Sequence, residues 1–115
     1  IKVHVVGHVL MKGKSINDKV VSGNLCVCKT ASELLHNYKP GDIIVIEETN
    51  NEMMPQLRTA SALIVEKGGL SSHAAVVGMS LDIPVLLEAK NATEILKQGA
   101  FVTVDSKKGI VYANK

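Results

Sequence analysis

The residues with the clearest capacity for chemistry lie between Glu66 and Val85. Gly68 and Gly69 are followed by Leu70, then by the hydroxyls of Ser71 and Ser72, and then by His73 at the head of an apolar run. A strand over 62–65, a paired-glycine turn and a helix over 72–81 are expected here, which places an imidazole just inside a helix start. Glycine lets the backbone approach an anion closely. The first N–H groups of a helix lack partners within it and carry partial positive charge, so they favour negative ligands. Ser71 or Ser72 can cap the helix or offer a hydroxyl to a ligand. Histidine is largely neutral and nucleophilic near neutral pH. Gly68, Gly69, Ser71, Ser72 and His73 therefore form a candidate anion-binding set suited to phosphate. A structural role, with His73 capping the helix or bonding a neighbouring carbonyl, fits the same residues.

The other reactive side chains give weaker signals. His4 and His8 would need a third ligand to hold a metal, and none is identifiable. His36 falls near a helix C-terminus, where a cation is mildly favoured, and reads as a solvated surface residue. Cys26 and Cys28 are two apart, so on a strand they share a face. With no second thiol pair nearby they read as small apolar side chains in a reducing, cytoplasmic setting rather than as metal ligands. No metal site is expected.

The elements that must position His73 alternate between strand and short helix. Residues 3–6 read as extended. Residues 12–19, polar and lysine-bearing, read as a linker with a domain boundary, dividing the chain into 1–12 and 13–115. A strand follows over 20–29, with Gly23 a bulge or close approach. Thr30 caps a helix reaching Tyr38, with Glu33 at the capping-box position and Leu34 and Leu35 facing inward. Pro40-Gly41-Asp42 is a turn. The continuous apolar run 43–46 predicts a strand covered on both faces. Thr49-Asn50-Asn51 breaks the chain before a short helix over 53–60 with Pro55 in its first turn. A strand over 84–87 and a helix capped by Asn91 and ending near Lys97 follow. Residues 101–104 and 110–112 form a closing hairpin across Ser106-Lys107-Lys108-Gly109. The fold class is α/β with a mixed central sheet.

Composition excludes several functions. At 115 residues the chain is one domain. Only 3% of residues are aromatic, so the core must be aliphatic. A net charge of +2 without a basic cluster argues against nucleic acid. No segment approaches the length of a membrane span, and no secretory signal opens the chain. Ile1 is not an initiator, and the chain reads as a fragment of a longer polypeptide.

The run Gly68-Gly69-Leu70-Ser71-Ser72-His73-Ala74-Ala75-Val76-Val77, followed by Ile83-Pro84-Val85, resembles the signature of the phosphoenolpyruvate-utilising mobile domain. This is the swivelling β/β/α, phosphohistidine-bearing domain of pyruvate phosphate dikinase, phosphoenolpyruvate synthase and the first enzyme of the bacterial sugar phosphotransferase relay. The resemblance covers about Gly13 to Tyr112 and implies that His73 is the candidate catalytic residue, as phosphoryl acceptor. Met53-Met54-Pro55, Asn91-Ala92-Thr93 and Val104-Asp105 add a similarity to the extra C-terminal domain of bacillus-type pyruvate kinases. Ile1-Lys2-Val3-His4-Val5-Val6 is similar to the last strand of their preceding domain. Carriers typically have Ala-Arg where this chain has Gly78-Met79, and so a guanidinium able to pair with phosphate is missing. They also usually have Thr where Ser71 stands.

The resemblance implies an accessory domain, structural or regulatory, and not catalytic alone. Its parent would transfer phosphate from phosphoenolpyruvate to ADP, with Mg²⁺ and K⁺ held outside this domain, which itself needs no cofactor. The implied partners are the rest of the parent chain, a homotetramer and a phosphate-bearing effector. An anion-binding effector module and a phosphohistidine carrier remain as alternatives.

Overall fold

The computed structural model describes residues 9–113, so the strand expected over 3–6, His4 and His8 lie outside the described residues. The apolar runs become the centre of a sheet. Ile43–Ile46 (β4), Ala62–Val65 (β5) and Val85–Leu87 (β6) are buried at every residue. With the end of Val20–Val27 (β3) they form a parallel group, β3 on β4, β4 on β5 and β5 on β6. Parallel strands covered on both faces need no polar alternation, which is why these runs are uniformly apolar.

An antiparallel group continues the sheet from β3. Phe101–Asp105 (β7) pairs with β3 and with Ile110–Ala113 (β8), and Val9–Lys12 (β1) pairs with β8. At the opposite end Lys14–Ser15 (β2) pairs with β6. The strand order is β1-β8-β7-β3-β4-β5-β6-β2. Only Gly13 separates β1 from β2, yet they are the two outermost strands. The sheet is therefore rolled, and its ends meet at Gly13. There the Gly13 N–H donates to the Gly109 carbonyl at 2.8 Å, and a Cβ on Gly13 would lie 2.9 Å from the Leu87 carbonyl oxygen.

The two-residue period of a strand sorts the core into two clusters. Leu25, Ile43, Val45, Ala62, Ile64 and Leu86 point inside the roll, towards Met11, Val102, Val104 and Val111. Cys26, Cys28, Ile44, Ile46, Leu63, Val65, Val85 and Leu87 point outward beneath the helices. The layering is antiparallel ribbon, parallel sheet, helices: the expected β/β/α arrangement with a mixed sheet and closing hairpin. Cys26 and Cys28 do share a face. Both are free and buried, and the hydrogen bond between them, with burial, pushes the Cys28 thiol up.

The helices are short. In Ala31–Asn37 (α1), Thr30 Oγ1 accepts from the Glu33 amide at 3.1 Å, while Glu33 reaches back to the Lys29 amide at 2.7 Å. Leu34 is fully buried, but Leu35, expected to face inward with it, is 65% exposed. Successive helical residues diverge by about 100°, and so narrow a contact admits only one of them. The helix expected over 53–60 is a 3-10 turn, Asn51–Met53, running into Met54–Leu57 (α2) with Pro55 in its first turn. Asn91 does not cap Ala92–Ile95 (α4) with its side chain. It adopts the left-handed conformation (φ 62°), which asparagine tolerates, and its carbonyl accepts from Glu94 and Ile95.

The segment 12–19 is not free linker. Besides β2, it is tied down where Asn17 donates to the Ile83 carbonyl at 2.7 Å and where the Lys19 amide donates to the Ser106 hydroxyl at 2.8 Å.

Candidate functional site

The histidine helix, His73–Leu81 (α3), starts where the structure needs a sharp change of direction. After β5 the chain turns at Gly68, whose φ of 111° suits glycine and where a Cβ would crowd the Ser72 hydroxyl at 2.8 Å. Ser72 is the N-cap: its Oγ accepts from the Ala75 amide at 3.3 Å and donates to the Gly69 carbonyl at 2.7 Å. Its hydroxyl is thus committed to the turn. Gly69 and Ser71 are exposed, and nothing lies within 4 Å of a Cβ built on Gly69. The helix ends at Asp82, left-handed at φ 60°, with Ile83 N–H donating to the Gly78 carbonyl at 3.1 Å. These crossed bonds satisfy the last carbonyls before Pro84 stops the helix.

His73 is half-buried and reaches across to the loop after β4. Its Nδ1 lies 2.8 Å from Thr49 Oγ1 and its Nε2 3.0 Å from Asn51 Oδ1. A neutral ring satisfies both at once. In the tautomer that does so, Nε2–H donates to the Asn51 side-chain Oδ1 and the Thr49 hydroxyl donates to Nδ1. In that tautomer the only in-plane lone pair is on Nδ1, so attack on phosphorus requires the bond from buried Thr49 to open first; releasing exposed Asn51 frees only an N–H.

Charge around this pair is mainly acidic. Thr49 and Asn51 are flanked in sequence by Glu48 and Glu52, and Glu47 pairs with Lys67 at 2.9 Å, an exposed bridge that raises the lysine's pKa. Glu66 accepts from the Thr93 amide and hydroxyl at 2.7 and 2.6 Å. Among the described residues no group of three or more His, Cys, Asp or Glu is placed to hold a metal ion. His36 is exposed, with Nδ1 2.8 Å from the Ser32 carbonyl oxygen.

Sequence reasoning placed Gly68, Gly69, Ser71, Ser72 and His73 on one turn and helix start, as found. It treated Thr49 and Asn51 only as chain breakers and missed them as partners of His73. The available signal was position. Both follow β4, the parallel neighbour of β5, and sites in such sheets gather beyond the carboxyl ends of the strands. Replacing Thr49 with Val keeps the shape but leaves Nδ1 without its donor. The expected loss is about 1 kcal/mol in urea denaturation, with a displaced His73 Nδ1 resonance. An unmoved resonance would mean the bond does not persist in solution.

A rolled β/β/α domain carrying a histidine at the start of its central helix is the architecture of the swivelling, phosphohistidine-type domains. The chain belongs to one family of these, described as the PEP-utilising enzyme, mobile domain, which matches residues 38–109. It is 47% identical over 114 residues to a pyruvate kinase of Bacillus licheniformis, covering 99% of this chain and 20% of that protein. It is 37% identical over 107 residues to a phosphoenolpyruvate synthase of Aeropyrum pernix, covering 93% of this chain and 13% of that one. Among solved structures, an Enzyme I solution structure superposes with a TM-score of 0.55 at 24% identity, over 70% of this chain and 36% of that one. The chain thus spans about a fifth of the pyruvate kinase it matches. In the described residues no helix is long and apolar enough to cross a membrane.

Proposed function

We propose that this chain is an accessory domain of a pyruvate kinase, with a structural or regulatory role and no turnover of its own. The near-complete match to pyruvate kinases supports the parentage. In this reading the parent, a cytoplasmic homotetramer, moves phosphate from phosphoenolpyruvate to ADP with Mg²⁺ and K⁺ held in the remainder of its chain. The boundary with the preceding domain, expected after residue 12, then falls before Val9, because Val9–Lys12 is part of this sheet. The observation that carries the accessory role is the double engagement of His73. Both ring nitrogens are occupied by Thr49 and Asn51 beside an acidic loop, and an exposed Met79 stands where carriers present a guanidinium.

The test is the full-length kinase against the same enzyme truncated before Val9. The expected result is turnover within about threefold of the intact enzyme at saturating substrate, with a changed apparent substrate affinity. Abolished turnover in a folded truncated enzyme would refute the accessory role. A second reading, an anion cradle for a phosphate-bearing effector, is supported by exposed Gly69 and Ser71 at the head of a nine-residue helix. Titrating the same two enzymes with inorganic phosphate separates the readings, because only the cradle makes phosphate sensitivity depend on this domain.

A further inference from the structure

The roll passes from antiparallel ribbon to parallel sheet within one strand. β3 pairs with β7 through Asn24, opposite Phe101, and with β4 from Leu25, opposite Ile43. Beside that change of partner, at the amino edge of the parallel strands, lies a cleft of about 330 Å³. Asn37 at the end of α1, Lys39 and Asp42 before β4, and Gln98 before β7 surround it together with Asn24. His73 and its partners follow β4 and β5, so the length of those strands separates the two places.

The cleft offers amides and one charge of each sign. Asn24 Nδ2 donates to the Gly99 carbonyl at 3.1 Å, and Gln98 Oε1 accepts from the Val27 amide at 2.8 Å. Asp42 Oδ2 accepts from the Lys39 amide at 3.0 Å. One atom of each side chain is anchored in this way. The other atoms, Asn24 Oδ1, Gln98 Nε2 and Asp42 Oδ1, have no partner among the described residues. The Lys39 ammonium and the Asp42 carboxylate line one cleft without pairing, since the ion pairs among the described residues are Lys19–Asp82 and Lys67–Glu47.

Other clefts lack this combination. The one bounded by Lys29, Glu47, Glu66 and Thr93 holds about 160 Å³, and its Glu47 and Glu66 are already bonded to Lys67 and Thr93. The grooves at Leu35 and Pro55, and at Leu70 and Met79, offer a carboxylate but no cation.

We propose that the cleft between Asn24, Lys39, Asp42 and Gln98 binds a free α-amino acid with a neutral polar side chain. Charge selects this ligand. A bare anion would face the Asp42 carboxylate and a bare cation the Lys39 ammonium, while a neutral sugar would leave both unpaired. A zwitterion satisfies the two together, its carboxylate taking the Lys39 ammonium and its ammonium the free Asp42 oxygen. The amides of Asn24, Asn37 and Gln98 then have donors and acceptors left for a polar side chain. The volume lies at the lower end for small-molecule sites, which start at about 300 Å³. This goes beyond the accessory reading, and the ligand does not depend on which reaction the parent enzyme performs.

The test is equilibrium dialysis of the full-length protein against radiolabelled L-glutamine and L-asparagine, in parallel with its Asp42→Asn and Lys39→Met variants. An asparagine at 42 keeps an oxygen to accept from the Lys39 amide, and Lys39 is exposed, so both variants are expected to fold. Urea denaturation checks this, and should Asp42→Asn unfold, Lys39→Met decides alone. Saturable binding at one site per chain is expected, weakened about tenfold by each substitution, the loss typical of a hydrogen bond to a charged group. Lys107→Met, in the hairpin turn, should leave it unchanged. No saturable binding of either amino acid, binding that survives both substitutions, or displacement by inorganic phosphate or glycerol would each overturn the proposal. Turnover of phosphoenolpyruvate and ADP plays no part in the readout, so the kinase reading stands or falls separately.

Discussion

Gly109→Ala should lower the unfolding free energy by about 3 kcal/mol, the largest loss expected from a single added methyl group in this chain. Two effects combine. Gly109 has φ 71°, and an L-residue held there costs about 1–2 kcal/mol. The new Cβ would also lie 2.7 Å from the Gly13 carbonyl oxygen, where backbone must give way, and forced overpacking costs about 1–3 kcal/mol. Gly99→Ala separates the two. Its φ is 84°, but nothing lies within 4 Å of its Cβ, so only the conformational cost of about 1–2 kcal/mol applies. Urea denaturation of the three proteins decides the matter. Equal losses for the two alanine variants would show that the sheet does not close at Gly13.

Gly78→Ala should be destabilising by about 1–2 kcal/mol, against the ordinary behaviour of helices. In an open helix the same change stabilises by up to about 1 kcal/mol. Here α3 lies so close to β6 that a Cβ on Gly78 would overlap Val85 Cγ2, and the side chain cannot retreat because Val85 is fully buried. Making room with Val85→Ala should recover part of the loss. The double variant is expected to be about 1 kcal/mol more stable than the sum of the single changes, the coupling typical of residues in contact. A Gly78→Ala protein more stable than the parent sequence would refute the close approach.

What the sequence disclosed and what it hid follow a physical division. The runs 43–46 and 62–65 were legible because strands covered on both faces must be apolar throughout. Thr30 and Ser72 were legible because a hydroxyl just before an apolar helix has few other uses. The motif around His73 was legible as a family resemblance and as a helix start. The partners of His73 were not, because Thr49 and Asn51 meet it only when β4 and β5 pair in parallel, across more than twenty residues of chain. Leu35 was misplaced because identity does not tell which of two adjacent leucines a short helix buries. The two-residue β2 was invisible: Lys14 and Ser15 have no strand character, and their pairing with β6 is imposed by the roll.

That roll governs how the domain is born. The seam joins β1 and β2, at the front of the chain, to β8 and β6, which are made late. During synthesis β2 must wait for β6, and β1 for β8, about a hundred residues later. Contacts this distant in sequence also slow folding. A nascent chain stalled after β7 would hold its parallel strands and β2 on β6 but offer β1 no partner, so completion of the hairpin, not formation of the histidine helix, makes the domain one cooperative body.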